Sequence, residues 1–415
     1  MLNELASSVR QEHGDDLLPY LGKYFTNSKQ ISRARQENLK IKMPPPPKSF
    51  EDMEEENLDQ MFTKNDSGEF WYHQLRHPDA LEEFDIVFIS YTGAKALSSM
   101  KYWSVDGTFD CCAVTKYFKQ LWIIACRTGV GSYVPVCFAL LTGKKQENYQ
   151  RVLEFLANTM QIKDPDFVCM DYERAEHKAF SEVYPSSVLL GCDVHWKRNL
   201  IRGIKKHGLQ ADINKSVSLS VWFHKLWSLS LVPRDSVVKV FEYIITITPW
   251  KDTSLPPRDE EELKTWNKYN DNLRFFTDYF ERTYIGQKNS SGGRKNPLFG
   301  KELWNKSESI SRDQDLNTNA SESINLQFTN GLDGKRGKTF GHVILAIKKE
   351  ETKSLSTMME AAGGEKTGDH NPARRDRLVR YKEERKKLVD RFGEVDLDVF
   401  LSKAASMFEK SNLMN

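Results

Sequence analysis

Two aspartates each end an apolar run: Asp106 in WSVDGTFD and Asp171 in FVCMDYERA. A carboxylate at a strand end stands at the rim of a sheet, where it can bind a metal ion without entering the core. Glu322, in NTNASESINLQF, offers a third carboxylate far downstream. Three carboxylates converging on one point are what two-metal phosphoryl transfer requires. The intervals are 171 − 106 = 65 and 322 − 171 = 151 residues, so only a fold can bring the three together.

Each of these residues has rivals. Strand alternation puts Asp106, Thr108 and Asp110 on one face, and Gly107 favours Asp106 by leaving room for a phosphate. Aspartate at a strand end also caps turns, which is the plainer use of Asp106 and Asp171. Glu173 and Glu176 stand close to Asp171, and Glu173 is placed to open the next helix, where its charge complements the helix dipole. Asn319-x-x-Glu322 also reads as a helix-capping pair, and Glu302 and Glu308 compete with Glu322. Cys192 and His195 have metal-ligand spacing, but no second pair completes a zinc site. The expected role of His195 is a hydrogen bond near the acidic site. Lys197, Arg198, Arg202, Lys205 and Lys206 form a basic strip suited to a phosphate backbone, or an ordinary solvated face. The cluster Arg374, Arg375, Arg377 and Arg380 is interrupted by acids and reads as solvated.

The elements that must position these groups follow from pattern. WSVDGTFD, FKQLWIIACRT and SYVPVCFALLTG are three apolar runs rich in β-branched and aromatic residues, as buried strands are. Helical spacing of Tyr149, Val152, Leu153, Leu156 and Met160 predicts a helix over Glu147 to Gln161. FVCM is a fourth strand, RAEHKAFSEVYP a short helix, SVLLGC a fifth strand and HWKRNLIRGIKKHGL a basic helix. The order β-β-β-α-β-α-β-α indicates an α/β fold: a mixed sheet flanked by helices, as in ribonuclease H-like folds. Upstream, EFWYHQL reads as a strand and DIVFISYTGAKALSSM as a strand or short helix leading into the core.

The expected organisation has five parts. Residues 1–68 form an accessory arm whose MPPPPKSF linker is extended and whose EDMEEENLDQMF is a solvated helix or tail. Residues 69–209 are the first part of the core, and 210–305 an all-helical insertion with Trp and Phe on its apolar faces. Residues 306–360 are the last part of the core, with Glu322, and 361–415 a linker and a charged C-terminal helix.

Composition limits the partners. Lys+Arg of 60 against Asp+Glu of 58 leaves +2, so nucleic acid would have to be met by local patches rather than a global field. No stretch reaches the roughly 18 consecutive apolar residues of a membrane span, so no membrane partner is expected. The N-terminus has no signal-peptide pattern, which points to an intracellular setting. Six cysteines, Cys111, Cys112, Cys126, Cys137, Cys169 and Cys192, mostly sit in apolar runs, as reduced buried thiols do. None precedes Cys111 or follows Cys192, so neither terminal region can supply a cysteine-based zinc finger.

Together, DGTF at Asp106, Asp171 with ERA, CDVHWKRNL, and N-x-x-E-S at Asn319 to Ser323 resemble the Mutator-like element (MULE) transposases over residues 100 to 345. The resemblance implies a ribonuclease H-like fold with an all-α insertion before the last catalytic helix. It makes Asp106, Asp171 and Glu322 the DDE catalytic triad and metal ligands, and Cys192 and His195 the family's C-x-x-H signature. The implied reaction is cutting and joining of double-stranded DNA at element ends and target. Two Mg²⁺ ions would be held by the carboxylates, with Mn²⁺ as a substitute. A homodimer or higher oligomer and a nuclear location are implied with it. Many relatives carry a zinc-coordinating DNA-binding module, which the cysteine positions do not provide here. End recognition would then fall to the arm, the insertion or a separate partner; otherwise the chain is a truncated copy, or a domesticated, non-catalytic DNA- or chromatin-binding protein.

Overall fold

Residues 46–108, 116–129, 131–251, 259–312, 324–325, 328, 332, 339–362 and 372–412 are described by the computed structural model. From Pro47 onward they belong to one compact unit. A short helix α1 (Gln60–Thr63) leads into the antiparallel hairpin β1 (Tyr72–His77) and β2 (Ala80–Phe88). Helix α2 (Tyr91–Ser99) follows, and then β3 (Tyr102–Thr108), β4 (Gln120–Arg127) and β5 (Tyr133–Leu141). Next come α3 (Gln146–Glu154), β6 (Phe167–Met170), α4 (Arg174–Val183), β7 (Val188–Gly191) and α5 (Asp193–Lys206). The seven strands form one sheet in the order β1-β2-β5-β4-β3-β6-β7. β3 pairs antiparallel with β4 and parallel with β6, and β6 runs parallel to β7. This is the mixed α/β sheet of a ribonuclease H-like fold.

The expected order from β3 to α5 is present. α3 stops at Glu154 and passes into a π turn over Phe155–Thr159, closed by Met160 N–H donating to Phe155 O at 3.0 Å. Tyr149, Val152, Leu153 and Leu156 are buried there as their spacing predicts.

The hairpin extends the sheet beyond β5, which local pattern does not reveal. Its attachment is long-range. Asp85, fully buried on β2, accepts from Thr142 N–H at 2.7 Å and from Arg151 Nη2 at 2.8 Å on α3. Burial pushes the Asp85 carboxyl up, but bonds from His77, Thr142 and Arg151 outweigh it and hold it below the usual range.

The acidic stretch after the prolines is not a tail. Its charged side chains are largely solvated, but Met53 is buried and its carbonyl accepts from Tyr72 Oη at 2.5 Å. Phe50 packs edge-on against Phe84 and Tyr117, at 5.2 and 4.9 Å between centroids.

Beyond α5 the chain is helical: α6 (Gln210–Lys215), α7 (Val217–Ser228), α8 (Val237–Thr246), α9 (Glu260–Phe280), α10 (Lys301–Trp304) and α11 (Ser307–Ser311). Asp259 caps α9 by accepting from Glu262 N–H, and Glu260, Glu261 and Glu262 set negative charge against its N-terminal dipole. The long helix α12 (Phe340–Ala362) packs on β5. Helices α13 (Pro372–Asp390) and α14 (Leu397–Asn412) complete the chain.

Two large hydrophobic cores lie among the described residues, beside a small cluster at Cys169 and Leu190. One lies between the sheet and α2, α3 and α4. The other joins Trp196, Leu200 and Ile204 of α5 to Trp222, Phe241 and Phe280 of the insertion. Tyr381, Leu388, Phe400, Leu401 and Met407 enter the same second core. The C-terminal helices are therefore built into the helical region, whereas a charged helix behind a linker was expected. Helix α5 packs into this second core, and α10 packs on β7 of the sheet.

Candidate active site

Asp106 lies near the end of β3, an interior strand between β4 and β6, opposite Ile123 of β4. Across β3 and β6 the register pairs Tyr102 with Phe167 and Ser104 with Cys169, an offset of 65 residues. Asp171 follows β6 directly, and 171 − 106 is again 65, so the same offset sets it level with Asp106. The interval noted in the sequence is thus the register of two parallel strands, and it puts both carboxylates on one rim.

The two groups differ in surroundings. Asp106 Oδ1 accepts from Gly107 N–H at 2.9 Å, and Oδ2 accepts from Asn325 Nδ2 at 2.7 Å. Asp171 is more open, its side chain 38% exposed. Its Oδ1 accepts from Tyr172 N–H at 2.5 Å, and its carbonyl accepts from His177 Nε2 at 2.5 Å. His195 Nδ1 is buried and lies 3.8 Å from Asp171 Oδ1, beyond hydrogen-bond range but within the reach of a charge.

Gly107 is small for a reason other than the one expected. A Cβ there would lie 2.7 Å from Gln120 Oε1, so the Gln120 amide, rather than a phosphate, takes the space. Gln120 Nε2 in turn donates to Tyr149 Oη at 2.7 Å.

Glu173 and Glu176 form an inner layer. Glu176 is buried and accepts from Trp122 Nε1 at 2.7 Å. Burial drives its carboxyl well above the usual range against that bond, and the charges of Glu173, Asp171 and Asp106 add to the rise. Burial likewise raises Glu173; a hydrogen bond from Tyr149 and the charge of Lys144 oppose it, and Asp171 adds to it. The charges of Glu173, Asp171 and Asp106 thus bear on Glu176 at one end of β3 and β6, and a hard cation on oxygen ligands there would offset that negative charge. Among the described residues no group of three or more His, Cys, Asp or Glu side chains forms a ready-made metal site.

Asp110 and Glu322 lie outside the described residues. The chain just beyond Glu322 is nevertheless placed: Asn325 bonds Asp106, and the Phe328 ring lies 6.2 Å from Phe138 on β5. Of the other rivals, Glu302 is exposed on α10, and Glu308 is committed to Arg234 at 3.2 Å and Arg312 at 2.6 Å.

Cys192 and His195 are a helix start. Cys192 caps α5, its Sγ accepting from His195 N–H at 3.4 Å, and this turns His195 toward Asp171. Arg198, Arg202, Lys205 and Lys206 are exposed along α5. Lys197 leaves that strip: it is 8% exposed, and burial lowers its ammonium to about 8 against the pull of Asp193. The polar roles of Trp122, Tyr149, Gln120 and Asn325 are not visible in the sequence, because their partners are set by packing of segments distant in the chain. The same holds for Lys306, buried at 3% exposure, whose Nζ donates to the Gly191 carbonyl at the end of β7.

Residues 102–199 match the family model described as the MULE transposase domain. The chain carries a MULE transposase domain. The match runs from the first residue of β3 into α5, so the MULE domain includes Asp106, Asp171, Cys192 and His195 and ends before the insertion and Glu322. No curated protein was found to match the chain. Among the described residues no helix is long and apolar enough to cross a membrane.

Proposed function

We propose that this chain is a metal-dependent DNA transposase, cutting strands at the ends of a transposable element and joining them to target DNA. The observation that carries this function is the shared register of Asp106 and Asp171 on the rim of a MULE domain, with the segment after Glu322 bonded to Asp106. Asp106, Asp171 and Glu322 would hold divalent cations, Mg²⁺ or Mn²⁺. Bound there, the metal would supply Lewis-acid stabilisation and an activated oxygen nucleophile. The protein's own part is positional. The sheet fixes the two aspartates, the Asn325 amide orients Asp106, and the Tyr172 N–H orients Asp171. His195 places an imidazole beside Asp171. The exposed cations of α5 would hold phosphates, as double-stranded DNA requires. Assembly as a homodimer or larger, action in the nucleus and help from a separate DNA-recognition partner belong to the same proposal.

The test is cleavage of labelled duplex carrying the source element's ends, with Mg²⁺ or Mn²⁺. Cutting by the wild type that Asp106→Ala abolishes is expected. Unchanged cutting by the variant contradicts the function, and salt-sensitive binding without cutting supports a domesticated DNA-binding protein instead.

A further inference from the structure

The helical region carries one built element that the site does not yet use. Gln287 to Asn296, QKNSSGGRKN, contains three cations and no acid. It is a hairpin: Lys288 and Arg294 form an antiparallel bridge, Asn289 N–H donates to Gly293 O at 2.9 Å, and Lys295 N–H donates to Gln287 O at 2.9 Å. Its base closes on Gly286, at φ 93°, where a Cβ would lie 2.0 Å from Lys295 O, so only glycine fits. Arg294 fastens it, donating to Glu281 at 2.6 Å, Gly286 O at 2.6 Å and Glu242 at 2.8 Å. Residues 290–293 at the tip are exposed.

Two separate contacts place this hairpin beside the rim and the basic strip. Phe299, just past it, packs edge-on against Tyr172 at 5.2 Å and lies 6.4 Å from His177, and those two residues hydrogen-bond Asp171. On the other side, Leu298 N–H donates to Arg282 O at 3.3 Å. Arg282 and Lys206 both lie close enough to His207 for their charges to add to the lowering of its pKa by burial. The cationic surface of α5 therefore runs through Arg282 to the hairpin base, where Lys295 is exposed and Lys288, also exposed, reaches Glu242 at 2.9 Å, a surface pair that a phosphate can replace.

We infer that this hairpin is a DNA-backbone clamp, gripping phosphates of duplex DNA between the α5 strip and the Asp171 rim. The inference rests on the proposed function and names the surface that would deliver its substrate. Charge attracts the backbone, the exposed Ser290 at the tip suits phosphate oxygens, and the anchored base fixes register.

The experiment measures duplex DNA affinity against salt for the wild type, Lys288→Ala/Lys295→Ala and Lys288→Arg/Lys295→Arg. A photo-crosslinker attached at Ser291→Cys is mapped on the same duplex. Two lost phosphate contacts make the slope of log K against log salt shallower by about 2 in the alanine pair. The arginine pair restores it, which separates charge from folding, and the crosslink falls beside the cleaved phosphate. An unchanged slope or a crosslink far from that position overturns the clamp while leaving the proposed function standing. Failure of the wild type to bind duplex DNA overturns both.

Discussion

Glu176 sits beneath two aspartates with its carboxyl under the Trp122 indole, and burial holds its proton on. Above its ordinary value of 4.5, and up to its raised folded value, the native state keeps a proton that the unfolded chain has released. Stability from this group is therefore full at low pH and is lost as pH rises through the folded value. Glu176→Gln keeps an acceptor for Trp122 and removes the titration. In metal-free buffer, melting temperature should fall from pH 5 to pH 8 more steeply for the wild type than for the variant. Parallel profiles would contradict the buried neutral carboxyl. Of the site, Asp106 and Asp171 were legible because strand ends are local signals. Trp122 and Tyr149 were not, since an aromatic in an apolar run reads as core until the opposing helix is placed. Gly107 was legible as a close approach, but the approaching group came from β4.

At the scale of elements, α5 has one face in solvent and one in the second core. Its polar face carries the cations, and its other face carries Trp196, stacked on Trp304 at 4.9 Å and edge-on to Tyr284 at 4.5 Å. Trp196 is fully buried, so Trp196→Ala should cost about 3–5 kcal/mol in denaturant unfolding. A loss under about 1 kcal/mol would mean that Trp196 does not anchor α5 in the second core. Strands β3 to β7 could be read from β-branched and aromatic runs with turns between them. The β1–β2 hairpin could not be placed, because its seat depends on Asp85 meeting Arg151 across 66 residues. The C-terminal helix hid its packing for another reason: α13 has few apolar residues, and the buried Tyr381, Leu388 and Val389 are lost among its charges.

At the scale of the whole molecule, the MULE match covers the strands that hold Asp106 and Asp171, while Asn325, which bonds Asp106, comes from beyond the insertion. The surroundings of Asp106 thus draw on both sides of the insertion, and α12 packs along β5. The sequence interval between Asp106 and Asp171 turned out to be a strand register, and no such local rule fixes the 151 residues to Glu322. The direct measurement is Mn²⁺ binding, followed by loss of the free-ion electron paramagnetic resonance signal, for the wild type, Asp106→Asn, Asp171→Asn, Glu322→Gln and Glu302→Gln. Binding by the wild type and by Glu302→Gln is expected, with strongly weakened binding in the other three. Equal binding by all five, or none by the wild type, would contradict a metal site on this rim.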